Sequence, residues 1–336
     1  MNALLRASLA ATSLLSVVLD PAYAEEPCGA LRQIASVPVE TLPTGLVDAT
    51  MVIEHQALKF LLDTRVTQSL ISAQAAAALA LPREPMNRIT RLKFCMDRVT
   101  CLQEFATADA MNFGELAAKV RFGVAPGDLS LGVPGLLGAD FLRNFDVEFD
   151  FAKSRVNLFS PNHCQGGVVY WTRSGASRIP MEVSQWGEIG VDAELDGKSI
   201  KAELASGFPK SHLDIAQGET KYGIPDRDWK MISPGGYNSN SWATCQHVFR
   251  SLTIGEIQVA NVDLAIESGG ERPYLGARLF LGMDILRQLH LYIAYKERNL
   301  YVSAATATAT AAPPPQQPTP STSPALQQSP SAPTGH

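Results

Sequence analysis

The chain has 336 residues, 46% of them apolar and 18% charged, with a formal charge of −5. That is a globular composition, long enough for two domains of ordinary size. An acidic balance with no basic cluster excludes general attraction to nucleic acid or to anionic membranes.

The N-terminus has the pattern of a secretory signal. Arg6 supplies positive charge, a mostly apolar run extends from Ala7 to Leu19, and small residues stand at Ala22 and Ala24. Residues 1–24 are therefore expected to be removed and the protein exported, to a periplasm or the extracellular space. The run is too short and Ala-rich to span a bilayer. No later segment reaches the ~18 continuous apolar residues of a spanning helix, so no stable membrane insertion is expected. Residues 25–44 form an N-terminal segment ahead of the main body.

"ATMVIEHQALKFLLD" predicts two extended runs around a polar turn at Glu54–His55–Gln56. "SAQAAAALAL" predicts a short helix ended by Pro82. "GADFLRNF" and "GMDILRQL" predict short helices after a glycine, with Asp140 and Asp284 in first turns, where an acid suits the helix dipole. "VEFDFAKSRVNLF" and "LYIAYKERNLYV" predict hairpins, and Asp196–Gly197 marks another. The tail, 304–336, carries eight prolines and no Lys, Arg, Asp or Glu, and is expected to be disordered.

The body repeats itself. "LKFLLDTRVTQSLIS" aligns with "IKAELASGFPKSHLD" 142 residues on, and "LLGADFLRNFDVEFDFAKSRVNLF" with "FLGMDILRQLHLYIAYKERNLYV" 144 residues on. "CLQEF" and "GELAAKVRFGV" find partners in "CQHVF" and "GEIQVANVDLAI", in the same order. Two similar lobes are expected, 45–160 and 176–303, joined by a linker at 161–175.

These blocks resemble the retropepsin-like aspartic protease family, in a two-lobed bacterial form. Leu62–Asp63–Thr64 and Ser69 match its apolar-Asp-Thr-Gly-x-x-Ser motif, and Leu136–Leu137–Gly138 and Phe280–Leu281–Gly282 match its later apolar-apolar-Gly. The resemblance implies a mostly β fold of two tandem acid-protease lobes, of the closed-barrel type, with short helices. It also implies a dyad, one Asp from each lobe sharing one proton, because like charges so close cannot both ionise. Asp63 is the candidate catalytic residue. The second Asp is missing: Ala205 stands in its place, followed by Ser206 and Gly207. Arg65 replaces the motif glycine. Its guanidinium is expected to favour an ionised Asp63, and its Cβ to resist the glycine's dihedrals. Thr64 and Ser206 are expected to tie the two loops together. Asp63 lines a surviving cleft or bonds its own backbone as an ordinary loop Asp. Ser69 and Ser211 are expected to bond loop backbone.

The family covers its cleft with flap hairpins. The matching regions place Asp97 and Arg98 at one tip, and Gly235, Gly236 and Tyr237 at the other, where an ordinary glycine turn is the alternative. In an oxidising compartment Cys95 and Cys101, and Cys28 and Cys164, are candidate disulfides, leaving Cys245 odd; spacing does not fix the pairing. No Cys/His spacing suggests a metal, and no cofactor is implied. The expected function is that of an exported aspartic-protease relative, impaired as a monomer, binding peptide or another extended ligand between its lobes. The alternatives are an active endopeptidase whose second Asp comes from a homodimer, and a structural envelope protein.

Overall fold

The computed structural model describes residues 28–87, 102–126, 129, 132–224, 242–268, 276 and 278–305. Residues 1–27, where the signal segment is expected, Cys95, Cys101, the flap candidates Asp97, Arg98, Gly235, Gly236 and Tyr237, and residues 306–336 of the Pro-rich tail lie outside the described residues; Ala304, expected in the tail, instead ends the last strand.

The first half of the chain contributes β1 (Gln33–Thr41), β2 (Val47–Ile53), β3 (Gln56–Leu62), β4 (Leu70–Ser72), helix α1 (Ala73–Ala78), β5 (Arg83–Pro85), β6 (Glu104–Phe113), β7 (Leu116–Ala125), β8 (Gly135–Leu137), α2 (Ala139–Leu142), β9 (Asp146–Asp150) and β10 (Arg155–Phe159). The second half contributes β11 (Ser177–Val183), β12 (Ile189–Leu195), β13 (Lys198–Leu204), β14 (His212–Asp214), α3 (Ile215–Tyr222), β15 (Trp242–Ile254), β16 (Ile257–Ser268), β17 (Leu279–Leu281), α4 (Met283–Leu286), β18 (Leu289–Ala294) and β19 (Asn299–Ala304).

Turn chemistry sets the hairpins. Glu54 and His55 both take left-handed backbone between β2 and β3, and Asp196 and Gly197 do so between β12 and β13. That geometry matches the right-handed twist of the flanking strands. Helix α1 is capped by Ser72, whose hydroxyl accepts from the Ala75 N–H. It stops short of Pro82, however: Ala80 turns left-handed and closes the helix first.

Six strands of the first half pair in a closed ring, β2–β3–β8–β4–β7–β6 and back to β2. The second half repeats that circuit as β12–β13–β17–β14–β16–β15 and back to β12. Closing a ring leaves none of its strands at a free edge. A third, antiparallel sheet joins the halves in the order β1–β10–β9–β18–β19–β11. Its centre is a seam between β9 and β18, one strand from each half. A disulfide between Cys28 and Cys164, with a Cα–Cα distance of 4.7 Å, ties the N-terminal segment to the connection between the halves. No helix among the described residues is long and apolar enough to cross a membrane.

Each ring carries the same polar brace. The Ser69 amide and hydroxyl both donate to Asp140 Oδ1, at 2.8 and 2.6 Å, while the Gly138 N–H donates to the Ser69 hydroxyl at 2.9 Å. Ser211, Asp284 and Gly282 repeat this at 2.9, 2.6 and 2.8 Å. The two Asp therefore do more than sit at helix starts: they fix the loops that precede β4 and β14. Gly138 is required by close approach, since a Cβ there would lie 2.4 Å from the Val66 carbonyl oxygen. Removing the hydroxyl orphans the buried Gly138 N–H and takes one donor from Asp140. Ser69→Ala is expected to lower unfolding free energy by about 1–3 kcal/mol in urea titration.

Candidate functional site at the paired loops

The two candidate loops leave β3 and β13 and meet between the rings. The Asp63 N–H donates to Leu137 O and the Ala205 N–H to Leu281 O, each at 3.0 Å. Asp63 and Ala205 thus hold equivalent places, one in each ring. The next residues exchange hydrogen bonds across the junction. The Ser206 hydroxyl accepts from the Thr64 N–H at 2.9 Å and donates to Leu62 O at 2.8 Å. The Thr64 hydroxyl donates to Leu204 O at 3.0 Å and accepts from the Ser206 N–H at 3.3 Å. Both side chains are buried, so each satisfies backbone groups of the other half that water does not reach. Behind them Phe149, Phe151, Leu286, Leu291 and Ile293 line a small apolar pocket.

Asp63 is only 6% exposed. Its Oδ1 accepts from the Arg65 N–H at 2.9 Å and the Val66 N–H at 3.4 Å, an Asx turn within its own loop. The carboxyl also faces the second loop: a Cβ at Gly207 would fall 1.9 Å from Asp63 Oδ2. The glycine is what lets the loops close this far. Asp63 is therefore both a backbone-bonded loop Asp and the acid facing the opposite loop.

Arg65 avoids left-handed backbone, so the loop absorbs its Cβ without that strain. Its side chain reaches into the second half. Nε donates to Glu203 Oε1 at 2.9 Å, and the guanidinium carbon lies 5.3 Å from the centroids of both Phe208 and Phe280. Those distances suit cation–π attraction. His212 stacks on Phe280 with centroids 4.6 Å apart. Burial first, and Arg65 second, push the His212 imidazole down to about 4. Sequence reading missed Glu203, Phe208, His212 and Phe280. A signal existed: their repeat partners are Leu61, Val66, Leu70 and Leu136, all aliphatic. The second half departs from the repeat at the positions that enclose the departing residue of the first. Among the described residues no group of three or more His, Cys, Asp or Glu is arranged to hold a metal ion.

No family model matches the chain, and no curated protein matches it. Among solved structures it is similar to basic 7S globulin from soybean, with 12% identity and a TM-score of 0.47 over 84% of this chain and 96% of that one. It is equally similar to the aspartic proteinase from Irpex lacteus, with 12% identity and a TM-score of 0.47, over 84% of this chain and 99% of the other.

Two consequences are measurable. Arg65→Ala removes the guanidinium bonded to buried Glu203, and is expected to cost about 3–5 kcal/mol of stability by chemical denaturation. The double variant with Glu203→Gln should recover part of that loss, a coupling read by a double-mutant cycle. For His212 the sign follows from its depressed value: the neutral ring contributes stability above 6.5, lost as pH falls from there toward 4. His212→Leu should remove an acid-side loss on the order of 3 kcal/mol from the pH–stability profile.

Proposed function

We propose that this is an exported protein of the aspartic-protease type whose monomer does not cleave peptide bonds and binds an extended peptide between its halves. The observation that carries this is Ala205, held by the same backbone bond that holds Asp63. Two-carboxylate hydrolysis needs one acid protonated to polarise the carbonyl and one ionised to activate water. A methyl group performs neither task. The paired loops and the acid facing them nevertheless persist, which supports a binding role over a purely structural one.

A homodimer could supply a second Asp63 only by joining two first halves as the halves are joined here. In the seam Glu148 lies opposite Tyr292, and these are equivalent positions of the repeat. Two first halves in that register would set Glu148 against Glu148, where it is now fully buried. Buried like charges oppose such pairing strongly, which favours the monomer.

A broad peptide library offered from mildly acidic to neutral pH tests the proposal, with wild type beside Asp63→Ala. We expect no turnover that depends on Asp63, together with saturable peptide binding to the wild type. Asp63-dependent cleavage would overturn it.

A further inference from the structure

The seam between the halves holds a second cluster of titratable groups. Asp146, Glu148 and Asp150 share one face of β9, all 3% exposed or less. The connection at 160–171 lies over that face like a strap. Tyr170 donates to Glu148 Oε2 at 2.7 Å. Trp171 stacks on His290 of β18 with centroids 4.3 Å apart, and its indole N–H donates to Ser303 at 3.0 Å. His290 in turn meets Glu148 Oε1 at 2.8 Å through Nε2 and lies 3.7 Å from Asp150 through Nδ1.

The strap's own histidine is the unusual member. His163 is 1% exposed in its side chain. Its Nε2 faces Asp146 Oδ2 at 2.5 Å, and its Nδ1 faces the Cys164 carbonyl oxygen at 3.1 Å. A carbonyl can only accept, and so can an ionised carboxylate. A neutral imidazole has one N–H for these two acceptors. Both contacts are hydrogen bonds only if one further proton is present, on the ring or on Asp146. Asp146 Oδ1 is buried with no hydrogen-bond partner among the described residues, which penalises the ionised acid further. The other groups facing the pair are Tyr292, whose hydroxyl donates to Asp146 at 3.3 Å, and Glu297, 3.5 Å from Nδ1. Tyr301 donates to Glu297, and Tyr295 and Glu148 complete the surroundings. None of these is a cation able to replace the proton.

We propose that one proton held between His163 and Asp146 latches the strap onto the seam, so that the junction of the halves tightens on acidification and loosens toward neutral pH. The disulfide at Cys164 anchors the strap covalently beside this contact. The sign is consistent with the direction of the acid's shift: burial, opposed by His163, raises Asp146 to about 6 from 3.8. Counted over the pair, that proton leaves the folded protein as pH rises through about 6, and the contact then loses one of its two hydrogen bonds.

The test uses the full chain with its disulfide intact, as wild type and as Asp146→Asn, whose amide can donate to the ring without the extra proton. Urea unfolding from pH 4 to 8 should show the folding constant of wild type, relative to the variant, falling roughly a hundredfold between pH 4 and 7 and level above. Groups outside the His163–Asp146 pair, His212 included, titrate alike in both proteins and cancel. Parallel pH profiles would overturn the proposal. Should the variant not fold, the side-chain carboxyl carbon chemical shift of Asp146 in wild type decides: it is expected to change through about pH 6, and a shift that stays flat from pH 4 to 8 would refute the latch.

Discussion

The arrangement of the halves rests on two hydroxyls trading places. Thr64 satisfies backbone groups at the end of β13, and Ser206 does the same at the end of β3. Each bond is modest in isolation, but all are buried, and breaking one strands a partner away from water. Strand ends from different rings are thereby held in fixed opposition. Everything at the site follows: the closeness of Asp63 to Gly207, the reach of Arg65 into the second half, and the seam drawn together behind.

The hydroxyl positions carry the junction, and the positions just before them take no part in that exchange. Asp63 and Ala205 differ completely in acidity yet make the same backbone bond. The backbone scaffold at such a place does not depend on an acid. The seam is different, because its members are chemically unlike: acids on β9 meet an imidazole and a phenol on β18. Geometric symmetry is kept there while chemical symmetry is broken, and that suits the two halves to each other.

Much of this was legible before any coordinates. Local turn chemistry announced the hairpin at Asp196–Gly197, and the repeat exposed Ala205 as the partner of Asp63. The role of Asp140 was read from helix position alone, because its bond to Ser69 spans 71 residues and exists only once β4 and β8 are neighbours in the ring. The Arg65 enclosure was harder still. Its walls come from β13, the loop after it, and β17, three segments that only strand order brings together. The motif sets Arg65 beside Asp63, the nearest acid in sequence, and gives no sign that the side chain also extends to Glu203. The strap's His163 carried no motif at all. Its meaning depends on a buried acid from β9 lying beneath it.

The Arg65 enclosure also bears on how such a site responds to substitution. Arg65, Glu203, Phe208 and Phe280 form one interlocked unit. Glycine at 65 alone would leave an acid and two aromatic faces around a void, while an aspartate at 205 alone would enter a loop already closed tightly on Asp63. The enclosure thus couples the two halves at this site, so that a change at one of its members is felt at the others.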